Sequence, residues 1–273
     1  MLRSEEPIVG PDGAQDTEAL CQRLDAQRYR IADRELELPL DIADCSLLIN
    51  AFAVDAAAAQ SLLGDSGLRA AHVLPGRAVL LLLGVDYRDN PLGDYDEAAV
   101  LLSVASETAG QGGWLGGALS ALRQKLPYYV WQMPVTQPFT AHAGRFLWGF
   151  PKYLADVEVR FEDGRARARF ELDGELIFAI EAPAVAAPVQ GRQRLSEQAG
   201  EVVTLRHGQL QKVLGHTGGS GLRMRPGGKA PQIGESHPMA RQLRALGLPK
   251  RPLASASLSL AHMRFDVAEP FAP

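Results

Sequence analysis

The stretch DVEVRFEDGRARARFELDGELIFAIEA, residues 156–182, constrains the fold more than any other part of the chain. Its polar and apolar residues alternate with period two, the spacing of side chains on the two faces of a strand. The alternation breaks at Asp163-Gly164 and again at Asp173-Gly174. Asp-Gly suits a two-residue hairpin because both positions of the turn need positive φ. The pattern predicts a three-strand antiparallel meander. Its apolar face runs through Val157, Val159, Phe161, Ala166, Ala168, Phe170, Leu172, Leu176, Phe178 and Ile180. The opposite face carries Glu158, Arg160, Arg165, Arg167 and Arg169, a charge pattern that fits a solvated sheet face.

Other segments repeat the strand signal. SLLINAF (46–52), AVLLLLGV (78–85), YYVWQMPV (128–135) and LASASLSLAHMRFDVAEPF (253–271) are apolar or alternating runs of strand character. The run 78–85 is too short to span a bilayer and reads as a fully buried strand. VVTLRHGQLQKVLGH is strand-like, and the glycine-rich GGSGLRMRPGGKAP after it reads as a mobile loop. Helices are few. One is expected from Asp16 to Gln27, with Leu20 and Leu24 on one face. A second is capped by Asp55 and ended by Gly64. A third has Ser236 as cap, Pro238 in its first turn, Met239, Leu243 and Leu246 on one face and Gly247 as its stop. Gly110, Gly112, Gly113, Gly116 and Gly117 lack the strand–GxGxxG–helix or GK[ST] context of a phosphate loop. Hairpins dominate and no repeat appears. The fold class is α+β, mostly antiparallel β: a curved sheet or barrel with a few flanking helices. Residues 1–40 are polar and read as an N-terminal arm, with 41–273 as a single domain.

Composition narrows the function classes. With 46% hydrophobic residues among 273, the chain can bury a large core. A formal charge of -4 argues against a nucleic-acid or anionic-membrane partner. Cys21 and Cys45 make no disulfide framework or metal spacing, and the opening MLRSEEPIVGPDGAQD lacks the apolar core of a signal peptide. A cytoplasmic location is expected. The six histidines form no HxxxH or HExxH pair, so no metal is expected, and no GxSxG nucleophile is present.

Lys152 has the one distinctive setting for a reactive group. It follows Pro151 in AGRFLWGFPKYLADVEV, among Phe146, Leu147, Trp148, Phe150, Tyr153 and Leu154. Burial disfavours a lysine's charged form, and a neutral amine is a nucleophile for carbonyl carbon. Lowering a lysine from about 10.4 to about 7 requires roughly 5 kcal/mol, within reach of full burial. The bland alternative is a strand-edge lysine whose stem covers aromatic rings. Glu97, at the entrance of the apolar run 98–104, either faces solvent at a sheet end or points into a cavity. The aromatics of 128–135, Trp131 among them, are candidates to line a pocket.

GRFLWGFPKYLADV resembles the Schiff-base motif of the acetoacetate decarboxylase family, in which a Gly-Arg, a short spacer and an aromatic-Pro-Lys precede a meander. DYDEAAVLLSV resembles the family segment that carries a catalytic glutamate, and SASLSLAHMRF resembles its last strand. The resemblance spans roughly 47–265. It implies a cone-like antiparallel β-barrel with flanking helices, a homo-oligomer, no cofactor and a small keto acid as partner. It assigns the imine to Lys152 and a proton-shuttling or orienting carboxylate to Glu97. Trp148, Phe150, Arg145 and Trp131 become candidate substrate-binding residues. Tyr153 stands where the family's decarboxylases carry a second lysine. An ungapped placement puts Leu82 at a second glutamate and Cys45 at a substrate-binding arginine. Tyr153 could donate to a carbonyl, or could simply pack. The expected function is a Schiff-base lyase acting on a β-keto acid other than acetoacetate. Aldol or dehydration chemistry on a larger keto acid, and a non-catalytic binding protein, are the alternatives.

Overall fold

The structure is a computed structural model that describes residues 14–106, 126–185 and 194–273. Helix α1 (Ala14–Leu20) leads into three short strands, β1 (Cys21–Arg23), β2 (Arg28–Ile31) and β3 (Arg34–Glu37), which form their own antiparallel sheet. The long β4 (Leu40–Asp55) is followed by α2 (Ala56–Leu63), β5 (Arg77–Tyr87), β6 (Tyr95–Ser103) and β7 (Tyr128–Val135). Helix α3 (Pro138–Trp148) precedes the short β8 (Lys152–Leu154). The meander is β9 (Asp156–Glu162), β10 (Arg165–Leu172) and β11 (Glu175–Pro183). Strands β12 (Arg194–Arg206), β13 (Gln209–Pro226) and β14 (Gln232–Ile233), helix α4 (Pro238–Ala245), then β15 (Ala254–Phe265) and β16 (Glu269–Pro270) complete the chain.

The main sheet has the order β12-β13-β15-β4-β5-β6-β7-β8, with β16 added beside β13. It curves so far that β12 meets β7 through Val202–Tyr128 and Val203–Tyr129. That contact is two residue pairs long, so the body is a strongly curved sheet. The meander, extended by β14, forms a second sheet.

Both faces of the main sheet are covered, which explains why β5 is apolar throughout rather than alternating. Leu80 and Leu82 pack with Phe52, Val100, Phe170 and Phe178 in the core beneath the meander. Leu81 and Val85 pack with Ile42, Trp148, Phe150 and Met263 in the core on the other side. At Gly84 a Cβ would lie 2.4 Å from Ala168 Cβ, so only glycine lets the meander come this close.

Both expected hairpins are present, with positive φ at Asp163 (51°), Gly164 (72°), Asp173 (53°) and Gly174 (76°). One detail differs. A bulge after Phe170 pairs Glu171 with Leu176, and Ile177 rather than Leu176 is fully buried. The arginine face is exposed and self-neutralising: Arg160 pairs with Glu158, Arg169 with Glu171, and Arg165 and Arg167 lie 3.4 and 3.6 Å from Glu181.

Four local expectations change. The helix expected to Gln27 ends at Leu20, because residues 21–37 pair as strands. Those residues are not a free arm: Tyr29, Ile31 and Leu36 are buried in the core that holds Ile42. The stretch GGSGLRMRPGGKAP is not a loop up to Pro226 but most of the second half of β13. Its glycines serve close packing, since a Cβ at Gly218 would lie 2.6 Å from His262 Nε2 and one at Gly219 would lie 2.1 Å from Leu260 O. Helix α4 is capped by His237, whose Nδ1 accepts from Met239 N at 3.1 Å, rather than by Ser236. The cap Asp55 is as expected, accepting from Ala57 N and Ala58 N. The glycine-rich 110–117 lies outside the described residues. Among those described, no helix is long and apolar enough to cross a membrane.

Candidate active site

Helix α3 starts at Gln137, whose side chain accepts from Thr140 N, with Pro138 pre-set for the first turn. It ends at Gly149 in the left-handed conformation, φ 68°. The chain then reverses through Phe150-Pro151 into β8, where Lys152 lies beside Met133 of β7. The lysine stem crosses α3 at Gly144. A Cβ there would stand 2.6 Å from Lys152 Cδ and 2.9 Å from Cε, so glycine is what leaves room for it. Arg145 Nε donates to the carbonyl of Lys152, fixing the strand's start.

The amine is enclosed: Lys152 is 3% exposed and Glu97 4%. Lys152 Nζ lies 2.7 Å from Glu97 Oε2 as an ion pair. It also reaches Thr140 Oγ1 at 3.2 Å and Tyr95 Oη at 3.4 Å, and sits 5.0 Å from the Tyr95 ring centre. Tyr87 Oη donates to Glu97 Oε1 at 3.2 Å, and the rings of Tyr87 and Tyr95 stack at 4.5 Å. Pairing of β5 with β6 explains this grouping. Val85 lies opposite Glu97 and Tyr87 opposite Tyr95, with alternation turning all four to one face. Glu97 therefore points into a cavity, and the solvent-facing alternative falls.

Burial works to lower the Lys152 pKa, but the Glu97 carboxylate and then Tyr95 outweigh it, and the group ends above its ordinary 10.5. The expectation that burial alone would free the amine is thereby corrected: a carboxylate at ion-pair distance reverses the direction. Burial also pushes the Tyr95 hydroxyl up to about 12, against the opposing effect of Lys152. It pushes Tyr87 well above its usual value, with Glu97 adding to the rise. Both phenols are thus protonated donors at neutral pH.

The pair opens into a cavity of about 400 Å³ whose wall is mainly apolar, Trp148 and Phe150 included. Trp148 is held by donation from its Nε1 to Asp266 O at 2.8 Å. Other sequence-derived candidates lie elsewhere. Tyr153 follows Lys152 and so takes the opposite face of β8; its hydroxyl meets Met239 Sδ at 3.8 Å beneath the meander. It packs and does not reach the cavity. Trp131 occupies a bulge, since Val100 pairs with Gln132 but Leu101 with Val130, and it joins the same core. Arg145 stays outside the cavity wall, on the backbone side of Lys152. Leu82 also faces the meander core, and Cys45 is packed with Sγ 3.7 Å from Ala261 O. Neither stands in for a missing polar group of this cavity. Among the described residues of its wall, Lys152 is the one cation.

Three residues beside the amine escaped sequence reading, Tyr87, Tyr95 and Thr140, and Gly144 was read only as part of the Gly-Arg motif. Tyr95 could have been found by counting two back from Glu97 along a strand. The others depend on register and helix placement. Among the described residues no three His, Cys, Asp or Glu gather as a metal site.

The sequence profile described as acetoacetate decarboxylase matches residues 30–215. Comparison with curated protein sequences gives no match. Among solved structures, an acetoacetate decarboxylase is similar at 13% identity and TM-score 0.58, covering 87% of this chain and 91% of its own. The acetoacetate decarboxylase of Legionella pneumophila is similar at 14% identity and TM-score 0.56, covering 88% and 92%. The enduracididine biosynthesis enzyme MppR complexed with pyruvate has 14% identity and TM-score 0.52, covering 86% and 91%. At these identities the structural likeness is one of fold.

Proposed function

Because the chain belongs to the acetoacetate decarboxylase family, we propose that it is a carbon–carbon lyase in which Lys152 forms an imine with a β-keto acid or related keto acid. The observation that carries this reading is the buried Lys152–Glu97 pair, 2.7 Å apart at one end of an apolar cavity. Water-poor surroundings strengthen the interaction of both groups with a developing charge.

The pair supplies its own base. Glu97 takes a proton from the Lys152 ammonium, and the neutral amine adds to the substrate carbonyl carbon. The carbinolamine hydroxyl takes that proton back from the Glu97 carboxylic acid and leaves as water, with the Tyr95 and Thr140 hydroxyls nearest to the nitrogen. The product is a protonated imine. In a β-keto acid the bond to the carboxylate then breaks, its electron pair moves to the iminium nitrogen, and carbon dioxide departs. The enamine carbon then takes a proton that solvent supplies through Glu97. Water hydrolyses the resulting imine, releasing the ketone and restoring Lys152. Tyr87, donating to the far oxygen of Glu97, keeps the carboxylate turned toward the amine.

A second outcome from the same imine has support of its own. The described cavity wall offers a substrate carboxylate no cation besides Lys152. The MppR structure is also solved with a condensation product of pyruvate and imidazole 4-carboxaldehyde. Here the enamine adds to an aldehyde and the aldol loses water to give a conjugated product. A panel of β-keto acids, and of pyruvate with aldehydes, separates the two. Carbon dioxide release marks decarboxylation, and a new near-ultraviolet band marks condensation. Lys152→Ala should abolish whichever occurs, and Glu97→Gln should slow it by roughly 10²–10⁴-fold, the usual worth of a positioned acid–base group. Turnover that survives Lys152→Ala would refute the imine. A cavity that binds keto acids without turning them over would point to the binding-protein alternative.

A further inference from the structure

The shape of the cavity beyond the amine says what the substrate carries. Resting on the imine reading above, we propose that the site takes a keto compound with an unbranched apolar tail, lying along β6 from Glu97 to Leu101. Ala99 is the residue that leaves room for it.

Tyr87, Tyr95, Glu97 and Lys152 line the wall around the amine, and Gln198, Glu201 and Thr217 line it from β12 and β13. Going along β6 from Glu97, the next inward residues are Ala99 and Leu101, and both line the same cavity. Leu83 of β5, paired with Ala99, lines it too. Leu126 and Tyr128, which precede and open β7, line the cavity farther from the amine, together with Glu201 and Val202 of β12. The four residue steps from Glu97 to Leu101 span roughly 13 Å at about 3.3 Å per step of strand. A four-carbon keto acid bound at Lys152 leaves that channel unfilled. Along its length the β5 and β6 side chains offer methyl and methylene groups but no hydrogen-bonding partner, so a tail of the same chemistry gains by leaving water. Each methylene buried there is worth about fourfold in affinity. Ala99 decides access because it lies between the carboxylate and Leu101, where any large side chain would fill the channel.

Calorimetry with unbranched methyl ketones from acetone to 2-nonanone tests this. Affinity should rise about fourfold per methylene across the series. Ala99→Phe, or Ala99→Leu if the larger ring prevents folding, should flatten the series. The melting temperature of that variant shows that it folds. A flat series in the unmodified protein, with acetone reduced onto Lys152, would overturn the tail while leaving the imine standing. If acetone is not reduced onto Lys152, the imine reading fails, and the tail is then judged by alcohols without a carbonyl. Binding of 2-nonanol much tighter than 2-propanol would uphold the channel, and equal binding would overturn it.

Discussion

Lys152 Nζ stands 2.7 Å from Glu97 Oε2, and that carboxylate holds the buried amine above its ordinary pKa. Replacing Glu97 with glutamine keeps the shape and removes the charge that holds the lysine above 10.5. Burial then dominates, and the amine should lose its proton at lower pH. Trapping of a ketone on Lys152 by borohydride, followed against pH, should therefore show a midpoint that moves down in Glu97→Gln while turnover falls. An unmoved midpoint would mean that the carboxylate does not control the amine. Gly144→Ala probes the same centre from the helix side. Alanine favours a helix over glycine by about 1 kcal/mol, so the melting temperature should hold or rise. The new Cβ, however, would stand 2.6 Å from Lys152 Cδ and push the stem aside. A displacement of that order should cost roughly 10²-fold in rate. Lys152 and Glu97 were marked in the sequence by their resemblance to motifs of the family, since pattern alone left each open to a surface reading. Tyr153 and Trp131 were misassigned because the face of a three-residue strand, or of a bulge, cannot be read without its neighbours.

Between elements, Asp96 ties the two sheets together: its Oδ2 accepts from Val159 N at 2.9 Å, joining β6 to the meander. Burial raises its pKa to about 6, with the Val159 hydrogen bond opposing. A carboxyl whose folded pKa exceeds its unfolded 3.8 holds its proton more tightly when folded. Its effect on stability is thus most favourable below about pH 4, declines as pH rises toward about 6, and is constant above. Asp96→Asn keeps an acceptor for Val159 and removes the charge. It should stabilise the protein at pH 7 by about 1 kcal/mol, a modest gain because solvent screens a half-exposed group. The advantage should vanish near pH 4, which thermal melts across this range would show. Gly84→Ala tests the same junction sterically. Its Cβ would meet Ala168 Cβ at 2.4 Å, backbone against backbone-borne methyl, and should destabilise by about 1–3 kcal/mol. The meander was legible almost residue by residue because Asp-Gly turns and period-two alternation fix register locally. The later half of β13 was not, because its glycines signal a loop in sequence. They answer instead to His262 and Leu260, some forty residues on, a contact that no local pattern encodes.

At the scale of the molecule, one curved sheet carries a core on each face, and the reactive pair belongs to the face turned away from the meander. The two-sided burial explains why the runs 78–85 and 98–104 are apolar without alternation, and hence why their inward and outward residues could not be told apart from sequence. The same arrangement gathers residues 21–37 into the core, although their polar composition suggested an arm. It also places the cavity within the curve of the main sheet, lined from β5, β6, β12 and β13. The Lys152 nitrogen lies within that space. The direct measurement is reduction with borohydride in the presence of a β-keto acid, followed by peptide mapping. The expected result is one irreversible addition, with the mass of the reduced ketone, on the peptide containing Lys152, and no such addition in Lys152→Ala. Addition on other lysines alone, or none across a broad panel of keto acids, would contradict it.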